Sequence, residues 1–90
     1  MKNKDAISRI QARLPFKGNN MFGETVGRHG YAVYSYGYHF PMAVWDGSDW
    51  HVNEDKYSPS TSRHQTYVRQ AVEGHVASTS WLKGLIGEMR

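Results

Sequence analysis

Histidines are the side chains of this sequence best suited to metal binding or proton transfer, and no two of them stand three or four residues apart. No helical ligand pair of the HExxH type can therefore form. The five positions are His29, His39, His51, His64 and His75. Glu54 and Asp55 follow His51 closely, but side chains at the end of a strand diverge, so this group does not predict a metal site. The sequence predicts neither a bound metal nor a cofactor.

Two histidines and a cation could supply the base, the acid and the charge stabiliser for metal-independent phosphodiester cleavage. His39, Arg63 and His64 are the residues that would do so. The segment 58–65 adds hydroxyl groups at the start of a predicted helix, where free N–H groups attract anions. The same Ser and Thr residues also cap a helix that binds nothing. We therefore assign no catalytic residue and keep a small nuclease as one hypothesis.

Aromatic residues make up 13% of the chain, with six Tyr and three Trp. Exposed rings near cations stack on nucleic-acid bases or anchor a protein partner, whereas buried rings belong to the core. Strand alternation places Tyr34, Trp45 and Trp50 on one face of a sheet. The residues expected near a turn or a helix start form the predicted partner-binding set, which consists of Tyr36, Tyr38, His39, Lys56, Arg63 and His64.

These aromatic residues lie in a segment, 31–53, whose β-branched and aromatic composition predicts a three-stranded antiparallel meander. Gly37-Tyr38 is expected to form a two-residue turn between the first two strands. Gly47-Ser48 is expected to form a type II′ turn before the third strand. Pro41 cannot donate a ladder hydrogen bond, so it predicts a bulge in the middle strand.

The two turns predict which residues face each other across the meander. Tyr31 should face Val44, and Trp45 should face Trp50. Both faces of the sheet are then more apolar than is usual for an antiparallel sheet with one solvated side. Either helices cover both faces, or one face is a contact surface, for example in a homodimer. One face would carry Ala32, Tyr34, Tyr36, Ala43, Trp45, Trp50 and Val52, and the other Tyr31, Val33, Phe40, Met42 and Val44.

Apolar residues spaced three and four apart predict helices on either side of the meander. The predicted helices span residues 3–14, 62–73 and 78–89. Asn3 is expected to cap the first helix, which Pro15 ends. Ser62 begins the second with a capping box, and Ser78 or Ser80 begins the third. The glycine-rich segment 16–30 is expected to be a loop with a short strand around 24–26.

The expected fold is α+β: one domain, residues 1–90, with a three-stranded antiparallel meander packed with N-terminal and C-terminal helices. The chain has no cysteine, which excludes disulfides, thiolate zinc sites and thiol nucleophiles. It has no apolar run long enough for a membrane span and no signal peptide, which predicts a cytoplasmic protein. Its net charge of +3 is scattered along the chain, so at most a weak contact with nucleic acid is expected.

Three short segments resemble a family of small uncharacterised proteins from phages and other mobile elements. They are YSYGYHFP at 34–41, DKYS at 55–58 and TSRHQ at 61–65. The family pattern is "YSYGxHFP … DKYS … TSRHQ", and the resemblance covers roughly residues 31–70. Family members often have "TTS" before the basic residue, where this chain has Ser60-Thr61-Ser62. That difference preserves the capping hydroxyls.

The resemblance implies a phage or mobile-element origin, and the family motif carries no settled activity. It favours a small non-enzymatic interaction protein, such as an anti-defence (anti-CRISPR-like) inhibitor. Its partner would be a host protein or a protein–nucleic acid complex in the host cytoplasm. A nucleic-acid-binding accessory protein is the alternative hypothesis, and the metal-independent nuclease described above is a second one.

Overall fold

The computed structural model describes residues 5–18, 20–56 and 58–90. Within them the chain forms helices and a mixed sheet, which confirms the α+β class and extends the predicted meander on both sides. No helix in this described part is long and apolar enough to cross a membrane. In chain order the elements are α1 (Ala6–Gln11), β1 (Phe16–Lys17), β2 (Met21–Val26), β3 (Gly30–Ser35), β4 (Pro41–Trp45), β5 (Trp50–Asn53), α2 (Pro59–Ala71), β6 (His75–Ala77) and α3 (Thr79–Met89).

The six strands form one sheet in chain order, and the predicted meander is its centre, β3–β4–β5. Strands β1 to β5 are antiparallel neighbours, whereas β6 runs parallel to β5. A parallel neighbour requires a crossover connection, which α2 provides. The segment 16–30, expected to be mostly loop, instead forms β1, β2 and the start of β3. The expected short strand at 24–26 is the second half of β2.

Helices cover both faces of the sheet, which is one of the two arrangements expected from its apolar composition. α1 and α2 contact each other and lie on one side, here called the α1/α2 face. α3 packs on the opposite side, the α3 face. The core of the α1/α2 face contains Ala6, Ile10, Phe16, Met21, Tyr31, Val33, Phe40, Met42, Ala43, Trp50 and Val68. The core of the α3 face contains Val26, Ala32, Tyr34, Val44, Leu82 and Ile86.

The second hairpin has the predicted register throughout, whereas the first has it only next to the loop, where Tyr34 faces Pro41. Trp45 faces Trp50 as expected, and Gly47 has a φ of +99°, which glycine adopts readily. In the first hairpin, however, Tyr31 faces Trp45 instead of Val44. The loop is longer than the predicted Gly37-Tyr38 turn. The last backbone hydrogen bond before it joins the N–H of Ser35 to the carbonyl of Phe40, at 3.1 Å. The connecting loop therefore comprises residues 36–39.

A bulge at the start of β4 separates the aromatic residues that were expected to share a face. Val33 pairs with Ala43 and Tyr34 pairs with Pro41, so Met42 is the extra residue and the bulge lies beside the proline that predicted it. Beyond the bulge, Ala43 and Trp45 share the face of Val33, while Tyr34 lies on the α3 face, so the predicted common aromatic face is wrong. Trp45 and Trp50 lie together on the α1/α2 face, with ring centroids 5.6 Å apart.

The helix ends differ from the predicted ones where the capping residues differ. α1 is shorter than 3–14, because its last turn closes at Ala12 and Arg13 adopts a positive φ of 55°. Asp5 occupies its N-cap position, and Asn3 lies outside the described residues. α2 begins at Pro59 instead of 62, since Ser58 is the N-cap and accepts the N–H of Thr61 at 3.1 Å. α3 begins after Ser78, one of the two predicted caps.

The buried amide of Asn53, at the end of β5, connects the sheet to both helical layers. Its Nδ2 donates to the carbonyl of Pro41 at 2.7 Å and to the Thr79 hydroxyl, at the start of α3, at 2.9 Å. Its Oδ1 accepts the N–H of Asp55 at 2.8 Å. From α2, Gln65 Nε2 donates to the carbonyls of Asn53 and Asp55. Because buried polar groups are costly when unpaired, this network fixes the positions of α2 and α3 on the sheet.

Gly23 in β2 provides a direct test of the packing on the α1/α2 face. A Cβ at this position would overlap the hydroxyl of Tyr31 and lie 2.7 Å from the ring of Phe16. That hydroxyl donates to the carbonyl of Leu14 at 2.7 Å and so ties the end of the α1 segment to the sheet. We expect Gly23→Ala to lower the free energy of unfolding by roughly 1–3 kcal/mol, as overpacking does, in urea titrations followed by tryptophan fluorescence.

Gly84 is the matched control for that substitution. It lies exposed in α3, and an added Cβ would meet nothing within 4 Å. Gly84→Ala should therefore raise the free energy of unfolding by about 0.5–1 kcal/mol through helix propensity alone. If both variants shifted stability in the same direction, the packing described around Gly23 would be wrong.

Candidate functional site

Some of the predicted site residues come together where the loop 36–39 meets the first turns of α2. The rings of Tyr36 and His64 lie 5.5 Å apart, centroid to centroid. His39 is exposed in the same loop, and Lys56 and Arg63 are exposed before and within α2. Among the described residues, no hydrogen bond or ring contact joins Lys56 or Arg63 to the loop. The structure therefore brings together part of the predicted set.

A chain of hydroxyl groups connects the start of α2 to the end of β3. The Ser58 hydroxyl donates to Thr61 Oγ1 at 3.1 Å, and Thr61 lies 3.2 Å from the hydroxyl of Ser35. Ser35 Oγ is in turn 2.7 Å from His64 Nδ1. If each hydroxyl donates to the next, Nδ1 accepts and the imidazole proton is on Nε2. Burial lowers the pKa of His64, which favours this neutral form.

The Ser35–His64 pair has the spacing of a nucleophile and its base, but it is buried. Ser35 is 1% exposed and His64 is 4% exposed, so a substrate has no access to either side chain. The pair instead fastens α2 to β3. His64 was predicted to contact a partner at the surface. In the structure it is buried and its ring packs against Tyr36. The nuclease hypothesis loses the exposed acid–base pair that it requires.

Tyr36 is held in a left-handed backbone conformation that favours glycine. Its φ is 66°, which costs a non-glycine residue roughly 1–2 kcal/mol. Its N–H donates to the carbonyl of Asn20 at 2.8 Å, and its ring lies against His64. The side chain nevertheless remains 49% exposed. Strain of this kind persists only where the surroundings enforce it, and it occurs preferentially at functional sites.

Tyr38 is also exposed, at 58%, and is also fixed in position. Its hydroxyl donates to Glu24 Oε2 at 2.9 Å, and this hydrogen bond raises the pKa of Tyr38. Its ring makes edge contacts with Phe22 and Tyr34, at centroid distances of 5.2 and 5.0 Å. The two exposed tyrosines of the loop are therefore ordered by contacts on both sides of the sheet end.

A groove of about 660 Å³ opens beside these tyrosines, between the loop 36–39 and strands β1 and β2. We call it the turn groove, and its lining consists of Pro15, Phe16, Lys17, Phe22, Gly23, Glu24, Tyr36, Gly37 and Tyr38. The part of this groove that β1 and β2 contribute was not predicted, because the Gly and Asn residues of 16–30 are typical of a loop. The signal that could have found β2 is the run Met-Phe-Gly-Glu-Thr-Val at 21–26.

Comparisons with known proteins place no further constraint on this site. No protein-family model, curated protein or solved structure shows significant similarity to the chain. The resemblance to small phage proteins, carried by three short segments, therefore stays a prediction.

The buried imidazole of His64 predicts how the stability of the protein depends on pH. Its pKa in the folded state lies below its ordinary value of 6.5. The contribution of neutral His64 to the free energy of unfolding is therefore complete above pH 6.5. It is lost as the pH falls toward the pKa that His64 has in the folded state. We expect the free energy of unfolding to decrease from pH 7 to pH 5 more strongly than in His64→Asn, whose amide oxygen can still accept from Ser35.

Urea unfolding of both proteins at several pH values measures this difference. His29→Asn, at an exposed histidine on the loop between β2 and β3, controls for the loss of a histidine as such. Parallel pH profiles for the wild type and His64→Asn would mean that the buried imidazole is not the responsible group.

Proposed function

We propose that this chain is a non-enzymatic interaction protein that binds a host protein complex through the turn groove. Together with the resemblance to phage and mobile-element proteins, this favours an anti-defence inhibitor acting in the host cytoplasm. The observation that carries the proposal is the pair of exposed, rigidly held tyrosines, Tyr36 and Tyr38, beside the groove.

Preorganisation is the first argument for binding. Ordering an exposed side chain on association costs about 0.5–1.5 kcal/mol, and a ring that is already fixed avoids much of that cost. Tyr38 is fixed by Glu24 and Phe22, and Tyr36 by its backbone and by His64. Tyrosine is among the residues that contribute most to protein interfaces. A strained tyrosine at a solvent-facing loop is difficult to explain by folding stability alone.

The lining of the groove favours a protein partner over a nucleic acid. Its described residues include one cation, Lys17, and one anion, Glu24, among aromatic and other apolar side chains. Nucleic-acid sites need several cations to neutralise phosphates. The volume suits a short peptide segment or a few anchoring side chains of a larger partner. Direct nucleic-acid binding through Arg63 and Lys56 stays a separate hypothesis. It predicts an affinity for oligonucleotides that falls steeply as the salt concentration rises.

The proposal is tested with a variant that removes the rings and preserves the backbone. Tyr36→Gly relieves the left-handed strain, so together with Tyr38→Ala it should change the free energy of unfolding by no more than about 1 kcal/mol. We expect this double variant to lose at least about tenfold in affinity for a host complex that the wild type binds, because its anchoring side chains are gone. Capture from host extract, quantified by mass spectrometry, identifies the complex, and titration of the purified complex measures the loss.

Trp81→Ala is the matched control, because Trp81 is 50% exposed and belongs to α3, outside the groove lining. It should bind as the wild type does. Equal binding by the double variant would overturn the proposal. Binding that disappears on nuclease treatment, or with Arg63→Ala alone, would support the nucleic-acid hypothesis instead.

A further inference from the structure

Two histidines that are far apart in the sequence become neighbours on the last two strands of the sheet. His51 in β5 is the register partner of His75 in β6, and their ring centroids are 5.4 Å apart. The parallel pairing made by the α2 crossover produces this contact. Neither residue lines the turn groove.

Asp46 fixes the orientation of one of the two imidazoles. Its Oδ2 lies 2.8 Å from His51 Nε2, while its Oδ1 accepts the N–H groups of Ser48 and Asp49. With Nε2–H donating to the carboxylate, the lone pair of His51 is on Nδ1. A carboxylate behind a histidine is the usual outer partner of a metal-binding imidazole, since it fixes the tautomer and raises the basicity of the ligand nitrogen.

The ring spacing leaves room for one tetrahedral ion between the two imidazoles. A zinc–nitrogen bond is about 2.0–2.1 Å, so an ion lies roughly 3.2 Å from each ring centre, and a tetrahedral angle puts the centres about 5.2 Å apart. The observed 5.4 Å is close to that value. The rings line a cleft of about 390 Å³ together with Val76, Ala77, Ser78 and Trp81. The Trp81 ring lies 4.9 Å from His51 and shields one side.

A hydrogen bond that holds the turn between β4 and β5 would account for the contact of Asp46 with His51 without any ligand. It does not account for the placement of an exposed histidine directly opposite. Within the described part of the chain, no group of three His, Cys, Asp or Glu side chains could hold a metal. A metal at this position would therefore keep coordination positions open for water or for an external ligand.

We propose that His51 and His75 form a two-histidine site for a divalent transition metal ion, with Asp46 as the carboxylate that orients His51. Imidazole nitrogen suits Zn²⁺, Ni²⁺ and Cu²⁺, whereas Mg²⁺ prefers oxygen ligands. A bound ion would join β6 to β5 and so stabilise the end of the sheet that precedes α3. Because binding to the folded state raises its stability, the melting temperature should increase with metal concentration.

Calorimetric titration of the full chain with Zn²⁺ at pH 7.5 tests the proposal. The wild type should bind one ion per chain and should not respond to Mg²⁺. His75→Ala changes an exposed side chain, so it should fold normally while weakening Zn²⁺ binding by at least about tenfold. Asp46→Asn should weaken it by about 10–100-fold, as loss of an outer carboxylate does.

His39→Ala, at an exposed histidine in the loop at the opposite end of β4 from Asp46, is the matched control and should bind as the wild type does. The melting temperature with and without Zn²⁺ gives a second readout for each protein. Unchanged Zn²⁺ affinity in His75→Ala, or a loss in His39→Ala equal to that in His75→Ala, would overturn the assignment. So would an equal response to Mg²⁺.

Discussion

The need to pair buried polar groups where β4 bulges is the constraint on which the rest of the structure depends. The bulge beside Pro41 interrupts the regular ladder near a fully buried part of the sheet. The side-chain amide of Asn53 donates to the carbonyl of Pro41 at this bulge and also to the hydroxyl of Thr79 at the start of α3. Because Gln65 binds the backbone of the same segment, one strand end sets the position of both helical layers. A hydrophobic residue in place of Asn53 could fill the same space but could not form hydrogen bonds with these buried polar groups.

The three segments that suggest a family separate into an interior and an exterior set. Ser35, Thr61, His64 and Gln65 face inward and are held by hydrogen bonds, and Asp55 holds the first N–H of α3 through its carboxylate. The Ser and His residues of these segments are types that occur in catalytic sites, but most of their polar groups here form hydrogen bonds that hold helices on the sheet. Tyr36 and Tyr38 are also held by contacts with the sheet and α2, but their rings remain about half exposed to solvent. This separation is why the proposed function rests on the aromatic residues and not on the histidines of the motif.

Local patterns predicted those elements whose signals lie within a few residues. Gly47-Ser48 predicted the second hairpin, and Ser78 marked the start of α3. The first hairpin was misjudged because Met42 is an extra residue in β4, which moves Ala43 and Trp45 to the face opposite Tyr34. β6 has only three residues and no partner nearby in sequence. The contact between His51 and His75 depends on that pairing, so spacing along the chain could not reveal it.

Because helices cover both faces of the sheet, neither face is available as a surface that could bind a partner. An open apolar face was the reason to expect a homodimer, and the two helical layers remove that reason. The strands at the sheet edges are very short, two residues in β1 and three in β6, which limits pairing with other chains through the backbone. Recognition is then left to side chains beside those edges and in the loops. The turn groove lies beside β1 and the histidine pair beside β6, so the two proposed binding surfaces are at opposite edges of the sheet.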